Sequence, residues 1–426
     1  MTVERQERIP LRRDRDFMSF WLGQSISAAG TGFSLVAVPL LAVRDLGASG
    51  AGVGSLRGAV YVPYLVIPLL AGILVDRVRK RPVMIASDVA RFVLMLAIPV
   101  LLWAGALTFP LLLVIAVVVG CCTVVYEVAQ TAYLPLLVSR DRLTAANSWT
   151  IASEEAADLV GPGVSGLFVQ AAKSAPLAVL VDACSYLVSV ISLAAIRKPE
   201  PAPEPAGDGR VRADLVEGLR FVFVTSRTVR GIATQGFVFN FGSSMFIVAF
   251  LLHALDVQNA GAAWYGVAMT AGGLGALVGA TTVAKLIGTL GEGRVYVLSA
   301  VASTVPFLLV PVAAGPDVAI GVLWLVALFL ANIGAGVWNV MSNTWRQQAT
   351  PDAMLGRMSG GIRLPLFAGI PLGSILGGLI SDAFGPRAAL FGCVVIMMLT
   401  LPLVPSVLSA RAGDRSGEAM TAGSDR

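Results

Sequence analysis

The sequence is dominated by apolar runs of about 20 residues, which recur from Phe17 to Leu408 with short polar breaks between them. A helix of about 20 apolar residues crosses the hydrocarbon core of a bilayer, and its own hydrogen bonds satisfy the backbone there. Only 13% of the 426 residues are charged, against about 25% in a soluble domain, so polar surface is too scarce to cover a soluble core. The runs predict an all-α integral membrane protein.

The runs divide into twelve predicted transmembrane helices, six on each side of a polar linker. These helices cover residues 17–43, 52–75, 82–104, 108–134, 150–172, 176–196, 232–256, 262–288, 294–313, 318–344, 358–382 and 387–408. We predict a cytoplasmic N-terminal tail (1–16), a six-helix half (17–196), a cytoplasmic linker (197–231), a second six-helix half (232–408) and a disordered cytoplasmic tail (409–426). Within the linker, the stretch from Arg212 to Phe223 predicts an amphipathic helix along the membrane surface.

Lys and Arg are distributed unevenly over the predicted loops. With the N-terminus inside the cell, 25 of the 31 lie in cytoplasmic segments, 3 lie in outer loops (Arg44, Lys173 and Arg387) and 3 lie within helices. Loops rich in Lys and Arg stay on the cytoplasmic side, so both termini are predicted to be cytoplasmic. The excess positive charge then faces anionic lipid of the inner leaflet, and we expect no nucleic-acid partner.

Several classes of function are disfavoured by what the sequence lacks. The four cysteines lie inside apolar runs without a CxxC or Cys/His spacing, so we expect no metal and no cofactor. A P-loop needs a Gly-Lys dipeptide, and the sequence contains none, which excludes an ATP-driven pump within this chain. One histidine, no HExxH motif and no nucleophile–base pattern argue against an enzyme.

The two halves repeat each other in sequence. Three pairs of residues at similar places in the two halves are separated by 211, 209 and 210 positions: Asp141 and Asp352, Pro162 and Pro371, and Pro176 and Pro386. Halves of six helices that each begin and end inside are parallel repeats, an architecture of transporters that alternate access between the two sides of a membrane.

The loop after the second predicted helix, GILVDRVRKR, resembles the Gly-x-x-x-Asp-Arg-x-Gly-Arg-Lys pattern of the major facilitator superfamily. The matching residues are Gly72, Asp76, Arg77, Lys80 and Arg81, and Arg79 replaces a glycine. The stretches DRVRKRPVMIASDVAR, YLPLLVSRDRLTAANS and VDACSYLVS are similar to the bacterial drug, macrolide and siderophore exporters of that superfamily. The resemblance implies a fold of two six-helix parallel repeats.

The same resemblance implies a conformational gate. In this superfamily the acid, here Asp76, docks against the start of the eleventh helix, here near Gly356 and Arg357, when the cytoplasmic side is closed. A helix N-terminus attracts a carboxylate because its N–H groups are unpaired and it carries about half a positive charge. The alternative is that the basic cluster only fixes the topology.

The fifth predicted helix carries GPGVSG, which resembles the Gly-Pro-x-x-Gly-Gly signature of antiporters. Gly161, Pro162 and Gly166 match it, and Ser165 replaces one glycine. In the superfamily this signature implies export rather than uptake. Because Pro162 cannot donate to the carbonyl of Asp158, a kink that only serves packing is the alternative.

Acids inside predicted helices are candidates for proton coupling, since an ionised group in a membrane is costly and faces a partner or water. They are Asp158, Glu127, Glu154 and Glu155. We expect burial of these acids, and structural pairing with Arg91 or Arg363 is the alternative. The fourth helix lacks the arginine typical of drug/proton antiporters of this superfamily, which leaves Arg91 or Arg363 as sources of that cation.

The remaining membrane-embedded polar residues have simpler interpretations. Asp88 and Arg91 are three residues apart on one helix and predict a structural ion pair. The candidates for lining a substrate cavity are Gln24, Arg57, Asn240, Asn332 and Arg363.

These observations favour a secondary active exporter of a hydrophobic or amphipathic small molecule, such as a drug, natural product or siderophore. We expect proton antiport and alternating access in a monomer in the cell membrane. Uptake of a nutrient or metabolite is the alternative, followed by a non-transporting sensor or scaffold of the same fold. No motif identifies the substrate.

The predicted topology can be tested with Ala206→Cys in a variant whose four native cysteines are replaced. Because the linker is predicted to be cytoplasmic, an impermeant maleimide added to intact cells should not label it. Lys173→Cys, in a predicted outer loop, should be labelled under the same conditions. Labelling of both positions from outside would contradict the topology.

Asp76→Asn should weaken the predicted gate, because the amide lacks the charge that favours a helix N-terminus by about 0.3–1 kcal/mol. Transport by cells that express the variant should fall while its level in the membrane is unchanged. Full transport by the variant would reject the gating role of Asp76.

Overall fold

The computed structural model describes residues 11–65, 67, 78–201, 211–257, 261–351 and 354–413, and these are mainly helical. The helices are α1 (Arg15–Arg44), α2 (Gly50–Tyr61), α3 (Lys80–Trp103), α4 (Phe109–Leu137), α5 (Leu143–Ala172), α6 (Ala175–Ala195), α7 (Val211–Arg220), α8 (Arg227–Val257), α9 (Gly261–Leu290), α10 (Glu292–Ala302), α11 (Asp317–Gln348), α12 (Leu355–Phe384) and α13 (Pro386–Met398). The amphipathic helix predicted in the linker corresponds to α7, and residues Phe221–Thr225 follow it as a π-helical turn.

Ten helical segments within the described ranges are long and apolar enough to cross a membrane. The fifth predicted transmembrane helix is α5, which is 30 residues long but carries Glu154, Glu155 and Asp158 and is not among the ten. The second predicted helix, 52–75, begins within α2, and its residues 66 and 68–75 lie outside the described ranges.

The chain forms two compact units. The first unit is Met1–Val38 with Val66–Gly209, and the second is Pro39–Leu65 with Arg210–Arg426. This division differs from the predicted halves because α2 packs within the second unit. A Cβ atom at Gly54 would lie 2.2 Å from the carbonyl oxygen of Ser374 in α12, so glycine permits the close contact. Asp382 adds a carboxylate at the start of α2, accepting hydrogen bonds from the Gly50 (2.6 Å) and Ala51 (2.8 Å) amides.

In the second unit, α9 and α11 approach each other along two glycines one helical turn apart. A Cβ atom at Gly275 would lie 2.1 Å from the carbonyl oxygen of Phe329, and one at Gly279 would lie 2.1 Å from that of Ile333. Small residues spaced by four let helix backbones approach closely, which provides van der Waals contact in a membrane. The glycines therefore determine how closely these helices pack.

The last helix extends past Ser409, where we predicted a disordered tail. The span that begins with α13 continues from Pro386 to Gly413. Arg411 lies 4.2 Å from the ring centre of Trp345 and pairs with Glu292 at 3.0 Å. This burial of a cation between an aromatic ring and an acid explains why the helix continues; residues 414–426 lie outside the described ranges.

Gly275→Ala should destabilise the protein, because the added Cβ atom forces α9 and α11 apart at a cost of about 1–3 kcal/mol. The midpoint of thermal unfolding of the solubilised full chain should fall. Gly288→Ala is the matched control on the same helix, since no atom lies within 4 Å of its Cβ position. That variant should keep or raise the midpoint because alanine favours helix. Equal shifts in both variants would contradict the close α9–α11 contact.

Candidate functional site

In the first unit, α1, α4 and α5 bring polar side chains together around Gln24. The Tyr126 hydroxyl donates to Gln24 Oε1 at 2.5 Å, and Gln24 Nε2 donates to Gln130 Oε1 at 3.1 Å. Gln130 Nε2 donates to Glu154 Oε1 at 2.9 Å. The network therefore connects Gln24, a cavity candidate, with Glu154, a proton-coupling candidate.

The predicted pair of Asp88 and Arg91 on α3 is present in the structure as a buried ion pair. The two residues are 0% and 5% exposed. The Arg91 guanidinium carbon lies 4.3 Å from the ring centre of Tyr126 on α4 and 4.5 Å from that of Tyr186 on α6. Electron-rich ring faces stabilise a cation that has lost its water. The helix α4 carries no arginine of its own, but Arg91 of α3 places its guanidinium against Tyr126 on α4.

Asp182 on α6 is a buried acid that our sequence analysis missed. It is 1% exposed and accepts a hydrogen bond from the Ser34 hydroxyl of α1. Its Oδ1 atom would lie 3.1 Å from a Cβ atom at Gly30 of α1, so glycine admits the acid. The signal was available, because a single acid within an apolar helix is by default a functional candidate; we used its surroundings, VDACSYLVS, only as a resemblance.

Of the four predicted coupling acids, Glu154 is half-buried, and Glu127, Glu155 and Asp158 are exposed. These three side chains keep exposed surface, although Asp158 is also partly desolvated beside Glu154 and Glu155, and their role in coupling stays a prediction. On α4 the reason is helical geometry: Tyr126 faces Arg91, and one residue further along rotates Glu127 by about 100°. Arg91 pairs with Asp88 on its own helix, and Arg363 is exposed on α12.

The antiporter-like motif packs α5 against α1. A Cβ atom at Gly161 would lie 2.8 Å from the Cα atom of Gly32. Ser165, which replaces a glycine of the signature, donates from its hydroxyl to the Phe33 carbonyl oxygen at 2.8 Å. Pro162 and Gly166 are buried. The helix remains continuous through Pro162, so these residues provide a close helix contact.

Three predicted gate residues, Gly72, Asp76 and Arg77, lie outside the described ranges. Lys80 and Arg81 begin α3, where their amides donate to the Glu200 carboxylate. The Arg81 side chain donates to the carbonyl oxygen of Leu193 at 2.9 Å, at the end of α6. These contacts join helices within the first unit, and the sequence analysis did not anticipate them.

Glu200 belongs to a segment that we call the belt, residues 196–201, which follows α6. Asp16 on α1 accepts from the belt amides of Arg197 (2.9 Å) and Lys198 (3.0 Å). The Lys198 ammonium donates to the Leu137 carbonyl oxygen at the end of α4 at 2.9 Å. An acid at a helix start and cations at helix ends match the signs of the helix dipoles. The belt thus fastens four helices at one end of the first unit.

The other predicted residues lie in the second unit and are dispersed. Gly356 is exposed, and Arg357 pairs with Glu217 of α7 at 2.9 Å. Arg57 lies 5.4 Å from the ring centre of Tyr61. Asn240 Nδ2 donates to the Leu366 carbonyl oxygen at 3.0 Å, whereas Asn332 Nδ2 donates at 2.9 Å to Leu328 on its own helix. No three His, Cys, Asp or Glu residues in the described part of the chain are grouped so as to hold a metal.

Gln235 on α8 is the counterpart of Gln24, 211 positions earlier. Its Oε1 atom accepts from the Tyr296 hydroxyl at 2.5 Å and from Trp338 Nε1 at 3.3 Å. Trp338 follows Tyr126 by 212 positions, so both units hold a glutamine from their first helix against an aromatic donor from their fourth. The same spacing of 211 places Ser299 and Ala302 where the first unit has Asp88 and Arg91. The repeat therefore retains the glutamine contact but not the charges.

Comparisons with solved structures support the predicted fold. The nucleoside transporter NupG superposes with a TM-score of 0.72 at 13% identity, over 93% of this chain and 98% of that one. A bacterial homologue of the iron transporter ferroportin in an inward-facing state gives 0.73 at 15% identity, over 92% and 98%. At these identities the likeness shows the fold alone, and it confirms the major facilitator fold of two six-helix repeats.

Sequence comparisons extend this result to the family. The multidrug efflux pump Tap of Mycolicibacterium fortuitum is 27% identical over 385 residues, covering 88% of this chain and 91% of the relative. The enterobactin exporter EntS of Escherichia coli O139:H28 is 28% identical over 402 residues, covering 90% and 91%. The family model described as transmembrane secretion effector matches residues 8–418. The chain therefore belongs to the transmembrane secretion effector family of the major facilitator superfamily, whose members are transporters.

Proposed function

We propose that this protein exports a hydrophobic or amphipathic small molecule from the cell by proton antiport. The relatives support export, because their names describe a multidrug efflux pump and an enterobactin exporter. The transported class then comprises drugs and siderophores of mixed polarity. Both termini are cytoplasmic, the basic segments face anionic lipid of the inner leaflet, and the monomer is the transporting unit.

The observation that carries the proton-antiport proposal is the buried charge of the first unit. Asp88 and Arg91 are held among helices by two tyrosine rings, whereas the second unit has neutral residues at the corresponding sequence positions. A secondary transporter needs an ionisable group whose charge changes between conformations, since only differential stabilisation shifts their populations. Glu154, Asp158, Glu127 and Glu155 of the same unit are the coupling candidates from the sequence.

Alternating access in this proposal uses the gate predicted around Asp76. In this gate Asp76 docks near Gly356 and Arg357 at the start of α12, as the superfamily resemblance implies. The adjacent Arg357 is fastened to α7 by Glu217. A carboxylate docked there is stabilised by the positive end of the α12 helix dipole and by the positive charge of Arg357.

The proposed function can be tested in everted membrane vesicles energised by respiration. A panel of ethidium, tetracycline and enterobactin should include a compound that accumulates in vesicles containing the protein and not in vesicles without it. A protonophore should release that compound, because the proton gradient drives its accumulation.

Two results would contradict the proposal. Accumulation that is insensitive to the protonophore would reject proton coupling. Accumulation of a panel compound only in vesicles of the native orientation would indicate uptake rather than export.

A further inference from the structure

The first unit buries one more acid than it can neutralise. Among its described residues, the buried charged side chains are Asp88, Arg91 and Asp182, with exposures of 0%, 5% and 1%. Two ionised carboxylates and one guanidinium leave an unbalanced negative charge. Such a charge in a medium of low dielectric constant costs several kcal/mol. One additional proton makes the cluster neutral.

The three groups act on one another. Arg91 forms an ion pair with Asp88 and interacts electrostatically with Asp182 as well. Tyr186 lies one helical turn after Asp182 on α6, and its ring stacks on the Arg91 guanidinium at 4.5 Å. Arg91 is thus paired with Asp88 and lies against the ring of Tyr186, one turn from Asp182, so it is the described cation close to both acids.

The cluster is also incompletely hydrogen-bonded. Asp88 Oδ2 and Arg91 Nε are buried and lack a hydrogen bond of ordinary geometry among the described residues, and the buried Ser189 hydroxyl lies beside Asp88 and Tyr126 without forming one of ordinary geometry. Buried polar atoms are nearly always paired, and an unpaired one costs about 1–3 kcal/mol. The hydrogen bonding of the cluster on the facing helices α3 and α6 is therefore less complete than that of an ordinary buried polar site.

We propose that the cluster of Asp88, Arg91 and Asp182 holds one exchangeable proton, and that Asp182 carries it. The inference deepens the proposed antiport, on which it rests, by naming the coupling residue. With the proton on Asp182, Arg91 neutralises Asp88, as in this structure. Loss of that proton to water leaves both acids ionised with one cation between them. The unbalanced charge then favours the conformation in which water reaches the cluster, so protonation and access are coupled.

The charged and titratable groups around the cluster come from four helices. They are Asp88 and Arg91 of α3, Cys122 and Tyr126 of α4, Glu154 of α5 near Tyr126, and Asp182 and Tyr186 of α6. From α1 come the hydroxyls of Ser34, which donates to Asp182, and of Thr31, 3.1 Å from the Tyr186 hydroxyl. By contrast the Asp158 side chain on α5 keeps exposed surface and is not among the groups around the cluster.

The test uses the full chain in proteoliposomes, with ethidium as the probe and an imposed pH gradient. Asp182→Asn should lose uphill accumulation and keep exchange of labelled for unlabelled ethidium, which needs no net proton movement. Asp45→Asn, which removes an exposed carboxylate outside the helices, is the matched control and should keep both. If a protonophore leaves the ethidium gradient of the wild-type protein unchanged, the proposed proton antiport is rejected. If the wild-type gradient is sensitive to the protonophore but Asp182→Asn still accumulates ethidium uphill, antiport stands and the assignment of the proton to Asp182 is overturned.

A second measurement does not depend on any substrate. Infrared difference spectra of the solubilised full chain, recorded against pH, should show the carbonyl band of a protonated buried carboxyl group. Asp182→Asn should lack that band, and Asp158→Asn should retain it. Should Asp182→Asn fail to fold, Asp182→Glu should shift the band, because a glutamic acid carbonyl absorbs at a different frequency. A band that persists unshifted in the Asp182 variant would overturn the proposal.

Discussion

The hydrocarbon core of a bilayer offers no hydrogen-bond partner, so each polar group placed there must be satisfied by the chain itself. The backbone meets this requirement by forming helices. Polar side chains meet it by reaching a neighbouring helix, and this determines which helices approach each other. Gln24 contacts α4 and α5 for this reason, and Gln235 contacts Tyr296 and Trp338. The few polar residues of these helices thus organise packing that apolar side chains alone would leave unspecific.

The two units share one helical architecture, but different side chains satisfy the need for hydrogen-bond partners in each. Both hold a glutamine of the first helix against an aromatic donor, which preserves the repeat across 211 positions. Only the first unit adds charge beside that contact, through Arg91 between two tyrosine rings. In the second unit, glycines at positions such as 275 and 279 bring helix backbones close together. The two repeats therefore share the glutamine contact, and the buried Asp88–Arg91 pair beside it belongs to the first unit.

The sequence was sufficient to predict the helices, the repeat and the superfamily, because hydrophobic periodicity and the GILVDRVRKR pattern are local properties. It also placed Asp88 three residues from Arg91, a contact within one helix. The missed features depend on contacts between distant residues. Asp182 is buried because Gly30 and Ser34, about 150 residues earlier, admit it and donate to it. The sequence could not show whether Asp158 would be covered, since depth along a helix does not determine which face its neighbours bury. For the same reason, the assignment of α2 to the second unit depends on glycine contacts with α12.

The belt has a consequence for how the chain can be divided and re-engineered. Its hydrogen bonds attach α1, α3 and α4 to residues 197–200, which follow α6 in the chain. The sequence becomes rich in Pro, Glu and Ala immediately after these residues. Those bonds all close within the first unit, so a cut or an inserted domain beyond Pro201 leaves every one of them intact. A truncation that removes residues 197–200 would instead release the ends of α1, α3 and α4 together. Glu200 lies five residues after α6 ends at Ala195, so the contacts that hold the first unit together extend beyond the last residue of its sixth helix.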